Sequence, residues 1–539
     1  MFTGDTLWGD ALTGDLERRE ILGRNYLLYR GVERNLYDAV VKTRERYPDK
    51  TALVDNYGRS YSYEDYMKKV DCFAQYLFEE LGVRRHKKVG LMLYNGIEFC
   101  VAFLALVKLG AVTVPLPSKY KKPEVLSLVE KAQLDGVICE KDFCRWFWEF
   151  TEKTGGFLLE SGEAEYGYGF AGCEEKEIKL KKSVGEEDDD VIIMFTSGTT
   201  SQSKGAVLKN FNVMHAVISY QKVLHITEAD KSIIPVPIYH ITGMVALLGL
   251  FLYSGATLYL HRQFCAERVL QCVKDQGLTF IHSSPTIFIL LLAEKEKFPS
   301  LPTLRAFACG SSNMAKEKLK ELHRWLPEMC FYTVYGLTET SSPATIFPGD
   351  AAVSAYIGSS GIPIPGTEFK IVSDEGKEVP EGEKGEVLIR GSVVLDRYLN
   401  LQTETLSQDG WLCTGDIGYF NKEGFLFIVD RKKDMINYGG EKVPSFDVEN
   451  EIYKMPQIYE TAVVGVPDAC YGEVVGAAVA LQPGADLGEE EIRDFLKDKL
   501  AKYKRPKKIM FLDEIPKTPN GKIDKRTIKK LFIEKEEQK

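Results

Sequence analysis

Clustered metal ligands are what this 539-residue chain most plainly lacks. Its seven histidines show no HxH, HxxH or HExxH spacing and none lies beside a cysteine cluster, which argues against a protein-held transition metal. Magnesium carried with a nucleotide is untouched by that argument. Eleven cysteines, an odd number with no CxxC pair, fit free thiols in a reducing compartment better than a disulfide framework. Positive charge is also in deficit. A formal charge of −9 disfavours general nucleic-acid binding, although a local basic patch stays open. Long apolar runs are missing too: the most hydrophobic stretch, residues 241–260, is interrupted by Ser254 and Gly255, whereas a membrane helix needs about 20 uninterrupted apolar residues. The first residues, MFTGDTLWGDALTGDLERRE, carry acidic groups early and no apolar core of signal-peptide length. The expectation is a cytoplasmic protein without integral membrane association.

What is present is ordinary for a folded protein, with 44% apolar and 27% charged residues. The length exceeds what one hydrophobic core supports, so two or more domains are expected. In the first half, KVGLMLY (88–94), IEFCVAFLALVKLG (97–110) and AVTVPLP (111–117) read as strand, helix, strand. Such alternation implies a largely parallel sheet. GVIC (136–139), TLYL (257–260) and FIHSSP (280–285) read as further strands, and 151–190 as a less regular connector. From Gly361 short strands separated by Gly, Pro and Asp turns suggest an antiparallel subdomain. The last hundred residues read as a compact α+β unit with a helix over 489–502 and another from Ile523. A boundary falls near 430–434, where FLFIVD runs into the charged turn RKKD.

The segment TSGTTSQSKG, residues 196–205, follows the apolar run VIIMF. A strand emptying into small hydroxyl residues, glycines and one lysine can wrap oxyanions with backbone N–H groups, hydroxyls and positive charge. A mobile linker has the same composition, so the segment alone leaves both readings open. It is not a Walker A loop, since Lys204 is followed by Gly205 rather than a hydroxyl residue. A second signal, VYGLTET at 334–340, supplies a ring, a glycine, hydroxyls and a carboxylate within seven residues. By itself it also reads as a capped turn.

Taken with GWLCTGD (410–416), DRKKDMINYGGEKV (430–443) and PKTPNGKIDKR (516–526), these motifs stand in an order and spacing that resemble the adenylate-forming superfamily of acyl-CoA synthetases, standalone adenylation domains and beetle luciferases. The resemblance runs from about residue 35 to the end. It implies an α/β and α+β fold: a large N-terminal domain of mixed β-sheets with flanking helices and an antiparallel subdomain (1–430), a hinge (431–433), and a small mobile C-terminal α+β domain (434–539). ATP, Mg2+ and coenzyme A are the implied cofactors.

Residue by residue, the resemblance implies a phosphate loop of Thr196, Ser197, Gly198, Thr199, Thr200 and Lys204. Tyr335 with Gly336 would take adenine, Thr338 the α-phosphate, and Glu339 the Mg2+ held with the phosphates. Asp416 would take the ribose hydroxyls, Arg431 the ribose or phosphate, and Ser311 in ACGSSN would line the adenine and acyl sites. Lys522 would relieve repulsion between the attacking carboxylate and the α-phosphate. Lys433 matches the hinge position, and Gly439 and Gly440 would let a pantetheine arm pass. Ser201 and Ser203 depart from the glycine and proline usual in the family's loop.

PVPIYHITGM (235–244) resembles the segment that places an aromatic and a histidine beside the reacting carboxylate, with His240 lining the site and Tyr239 behind it. Amino-acid-activating relatives carry an aspartate here, and none occurs between Pro235 and Leu248. An acid without an α-amino group is therefore the better substrate, because an unpartnered buried ammonium is costly. The reading is an ATP-dependent acid–CoA ligase for a fatty or aryl carboxylic acid. Loading of a carrier-protein phosphopantetheine, or a nucleotide-binding regulator without catalysis, are the rivals. No nucleic-acid partner is expected, and a homodimer is left open.

Overall fold

The computed structural model describes residues 1–162, 170, 178–196, 203–312, 314–518 and 521–537. Its largest sheet has seven strands in the order Arg397–Tyr398, Lys204–Lys209, Asp190–Thr196, Val112–Pro115, Lys88–Met92, Gly136–Glu140 and Phe157–Ser161. From Asp190–Thr196 onward the pairs are parallel. The central strands Val112–Pro115 and Lys88–Met92 are buried almost throughout because both faces of the sheet are covered there. Helix Ile97–Lys108 is buried on every side, as its nearly all-apolar sequence requires. Its one cation, Lys108, is fully buried and donates to Asp71 Oδ1 at 2.7 Å, an oxygen that also accepts from the Tyr37 hydroxyl at 2.6 Å. Removing one partner of such a buried pair costs about 3–5 kcal/mol.

A four-stranded sheet (Lys231–Ile234, Thr257–Leu260, Thr51–Val54, Ser60–Ser62) and a five-stranded sheet beginning Phe280–Ser283, Ala306–Cys309, Cys330–Tyr335 complete the α/β part. The antiparallel subdomain is a five-stranded sheet in which Phe2–Thr3 adds to Thr367–Val372, followed by Gly385–Gly391, Leu412–Phe420 and Leu426–Arg431. Strands Ile458–Asp468 and Gly472–Leu481 form the long hairpin of the C-terminal unit, flanked by Lys508–Phe511 in parallel. The hydrophobic clusters of residues 436–532 contain no residue from before the charged turn at 431–434.

Three expectations shift at their edges. The helix expected over 489–502 ends at Lys497, because the lysine-rich chain then makes a short 3-10 turn, Lys502–Lys504, before Pro506. The last helix starts at Lys525, where Asp524 accepts from the Thr527 N–H at 3.2 Å and caps it. The strand expected through Pro285 stops at Ser283, and Pro285 opens helix Pro285–Leu292. The apolar piece after His240 forms a π-helix, Thr242–Gly249, rather than an α-helix throughout. Gly243 permits it: a Cβ there would lie 2.7 Å from the Ile238 backbone, so only glycine lets 235–240 fold back against the helix start.

Candidate active site

Strands Asp190–Thr196 and Lys204–Lys209 pair antiparallel with Thr196 opposite Lys204. The two ends of the hydroxyl-rich segment, Thr196 and Lys204, are thus fixed by the sheet. Ser197, Gly198, Thr199 and Thr200 lie outside the described residues. Lys204 Nζ donates to Thr405 Oγ1 at 3.1 Å and sits 5.3 Å above the Tyr398 ring. Tyr398, next to this hairpin in the sheet, donates its hydroxyl to Glu339 Oε1 at 3.0 Å. The backbone of Glu339 is held as well, its carbonyl accepting from Leu395 N–H at 2.8 Å. Register therefore joins the lysine of one motif to the carboxylate of another.

Asp416 and Arg431 are cross-strand partners in the antiparallel sheet. Arg431 Nε stands 3.0 Å from Asp416 Oδ1, and the Tyr335 hydroxyl donates to Asp416 Oδ2 at 2.8 Å. Burial holds the Asp416 carboxyl above the usual carboxylate range in spite of the Arg431 guanidinium. Tyr335 ends strand Cys330–Tyr335, and Gly336 follows where a Cβ would lie 1.7 Å from the Ser342 carbonyl oxygen. No other residue fits. The loop then turns through a short 3-10 helix, Thr338–Thr340, which leaves Thr338 and Glu339 partly exposed. Ser311 is exposed with φ +73°, at the turn that follows strand Ala306–Cys309.

Lys522 comes from the C-terminal unit into the same charge cluster. Its side chain is exposed to solvent, yet many protein atoms crowd around it. Desolvation there, then the Arg431 guanidinium, push its pKa down to about 8, while Asp416 and Glu339 pull the other way. The C-terminal unit is tied in this pose by groups on either side of the turn. Fully buried Asp430 accepts from the Ser445 N–H at 2.5 Å, at the start of helix Ser445–Ile452. Asp374 holds Lys432 at 3.3 Å and Lys442 at 3.2 Å.

Lys433 is exposed within the turn between Arg431 and strand Ile436–Tyr438. Gly439 and Gly440 have φ +58° and +95° and form the two-residue turn of the hairpin Ile436–Tyr438/Glu441–Val443. The turn explains both glycines locally, and in this pose they face solvent beside Tyr471 rather than the charge cluster. His240 packs its ring 5.2 Å from that of Tyr239, which is buried. The π-helix runs inward from them. Sequence reasoning missed Tyr398, Thr405, Asp374 and Asp430. The first two act through strand register, for which LDRYLN and TETL carry no signal, and the other two look like ordinary surface or turn acids.

The family model described as AMP-binding enzyme matches residues 40–399, and that of the AMP-binding enzyme C-terminal domain matches 447–522. The 2-succinylbenzoate–CoA ligase of Bacillus cereus is 30% identical over 90% of this chain and 96% of its own. The oxalate–CoA ligase of Arabidopsis thaliana is 29% identical over 91% and 97%. Among solved structures, ATP-bound MatB from Rhodopseudomonas palustris superposes with a TM-score of 0.84 at 26% identity, covering 92% of this chain and 98% of its own. That fold and those motifs agree with the geometry above, and the chain belongs to the adenylate-forming AMP-binding enzyme family.

Proposed function

We propose that this protein is an ATP-dependent acid–CoA ligase for a fatty or aryl monocarboxylic acid, working from the cytoplasm without a nucleic-acid partner. The observation that carries the reading is the convergence of Lys522, from the C-terminal unit, on Arg431, Asp416 and Glu339 of the N-terminal one. The two cations and two carboxylates that meet there offer partners of both signs to a polyanion arriving with Mg2+.

In this reading the acid's carboxylate oxygen attacks the α-phosphorus of ATP. The bond to the β-phosphate oxygen breaks, and pyrophosphate leaves. Lys522 screens two approaching anions and stabilises charge as it builds on the α-phosphate. Asp416 takes the ribose hydroxyls, with Arg431 and Tyr335 fixing its two oxygens. Tyr335 and Gly336 flank the base, Ser311 lines the base and acid sites, and Thr338 donates to the α-phosphate. Thr196 and Lys204 frame the turn that wraps the outer phosphates. Glu339, oriented by Tyr398, would hold Mg2+, which supplies charge neutralisation on the phosphates. His240 faces the acid's carboxylate.

The second step needs the lysine removed. Residues 431–433, with Lys433 at the pivot, turn the C-terminal domain (434–539) so that the Gly439–Gly440 hairpin replaces Lys522 and the thiol of coenzyme A reaches the acyl carbon. The sulfur–carbon bond forms, the carbon–oxygen bond to AMP breaks, and AMP leaves. Contacts of Asp430 with Ser445 N–H and of Asp374 with Lys442 span this pivot and would break in the turn. A panel of carboxylic acids tests the reading by pyrophosphate release and by mass detection of the CoA thioester. Acid-dependent pyrophosphate, with thioester only when CoA is present, is expected. ADP and phosphate in place of AMP and pyrophosphate would overturn it.

A further inference from the structure

His282 is 1% exposed, and its Nδ1 has no hydrogen-bond partner. An orphaned polar atom of this kind is rare in a folded interior and calls for a ligand or an ordered water. The residue lies on strand Phe280–Ser283, pointing to the sheet face covered by helix Asn210–Val223 and the π-helix. Its ring meets Tyr220 edge-on at 5.5 Å, and the Tyr220 hydroxyl is 2.9 Å from Ser342 Oγ. On its other side a Cβ added to Gly310 would stand 3.6 Å from His282 Nε2. The imidazole thus sits directly behind Gly310 and Ser311 and beside the loop that carries Thr338 and Glu339. In the ligase reading above Ser311 lines the acid site, which puts His282 behind that wall.

We propose that His282 is a specificity-determining residue that hydrogen-bonds a hydroxyl carried by the acid away from its carboxylate, so that the substrate is a hydroxylated monocarboxylic acid. The inference rests on the ligase reading above. A hydroxyl both donates and accepts, so it satisfies the imidazole in either tautomer. Burial keeps the ring neutral, pushing its pKa down to about 3. A second carboxylate in this position would need a cation. None is encoded in the segments that meet here, 235–254, 279–293, 306–315 and 334–347. Diacids are therefore excluded by the cost of an unpaired buried charge, which sets this chain apart from the relatives whose names specify oxalate and 2-succinylbenzoate.

The test compares kcat/KM for pyrophosphate release within matched pairs: cinnamic and 4-hydroxycinnamic acid, benzoic and 4-hydroxybenzoic acid, dodecanoic and 12-hydroxydodecanoic acid, with dodecanedioic acid as the diacid. In at least one pair the hydroxylated acid is expected to win by about tenfold or more, and the diacid to be the poorest substrate. His282→Leu should bring that ratio to about one while the plain acid keeps or gains activity. His282→Gln, which retains a donor and an acceptor, should restore part of the preference and serves if the leucine variant does not fold. AMP-induced thermal stabilisation checks that each variant keeps its nucleotide site. Equal rates within every pair would assign an ordered water to the imidazole and overturn the proposal, as would a ratio unchanged in His282→Leu. Activity on the plain acids would leave the ligase reading standing in either case. Absence of pyrophosphate release with every acid would remove both.

Discussion

Replacing Lys522 by alanine should separate the two half reactions of the proposed ligase. In that proposal the ammonium approaches the phosphate charge that builds during attack, and a unit charge at about 4 Å is worth roughly 4 kcal/mol at an effective dielectric of 20. Residual water in the cleft lowers this, so about 100- to 1,000-fold in adenylation is the expected loss. Pyrophosphate release in a single turnover measures that step. Thioester formation from a preformed acyl adenylate measures the second, which should stay within about threefold of the unaltered enzyme because the lysine has been withdrawn. The same lysine sets an alkaline limb. With its pKa pushed down to about 8, the protonated form is lost as pH rises, so kcat/KM for adenylation should fall above about pH 8. Lys522→Arg, slower but permanently charged, should lack that limb. Equal loss of both half reactions in the alanine variant, or an unchanged limb in the arginine variant, would refute the assignment.

Asp374→Ala removes the exposed carboxylate that holds Lys432 within the turn at 431–434 and Lys442 beyond it; pairs of this kind are worth about 0–1 kcal/mol, so under the proposed domain rotation the ratio of thioester formation to adenylation should rise by up to about fivefold. Salt at 0.5 M should do the same to the unaltered enzyme and little to the variant, and a ratio insensitive to both would contradict the latch. Gly336→Ala drives a Cβ into the Ser342 carbonyl and should displace the loop, weakening AMP binding at least about tenfold by calorimetry; wild-type affinity would show that the loop tolerates the group. His215 and His282 are buried neutral, with pKa values pushed down to about 4 and about 3. The unfolded chain binds their protons below about pH 6.5 and the folded one does not, so stability is retained above that pH and lost as pH falls, by up to about 1.4 kcal/mol per unit for each ring. Urea midpoints between pH 7 and 5 should show this slope, shallower in His282→Leu, and a flat profile would contradict it.

The fold was legible where pattern and turn chemistry agreed. The nearly all-apolar helix Ile97–Lys108 and its flanking strands are evident because burial on every side favours apolar residues at almost every position. The motif residues were read as a set through an order and spacing that resemble the adenylate-forming family, and the chain belongs to that family. What was not legible is the network of register pairs. Nothing local says that Tyr398 reaches Glu339, or that Asp416 faces Arg431, since both depend on which strands become neighbours. The π-helix was hidden as well, for its apolar run reads equally as α-helix and no residue type in it marks the wider hydrogen-bond spacing. His282 looked like one apolar-strand histidine among several until its neighbours were in place.

Isotope transfer tests the adenylation claim most directly. The best acid of the panel, labelled with 18O in both carboxylate oxygens, is turned over with ATP and CoA in unlabelled water. Attack on the α-phosphorus followed by thiolysis at the acyl carbon leaves one labelled oxygen in AMP and none in pyrophosphate. Label in inorganic phosphate, or unlabelled AMP, would contradict the account.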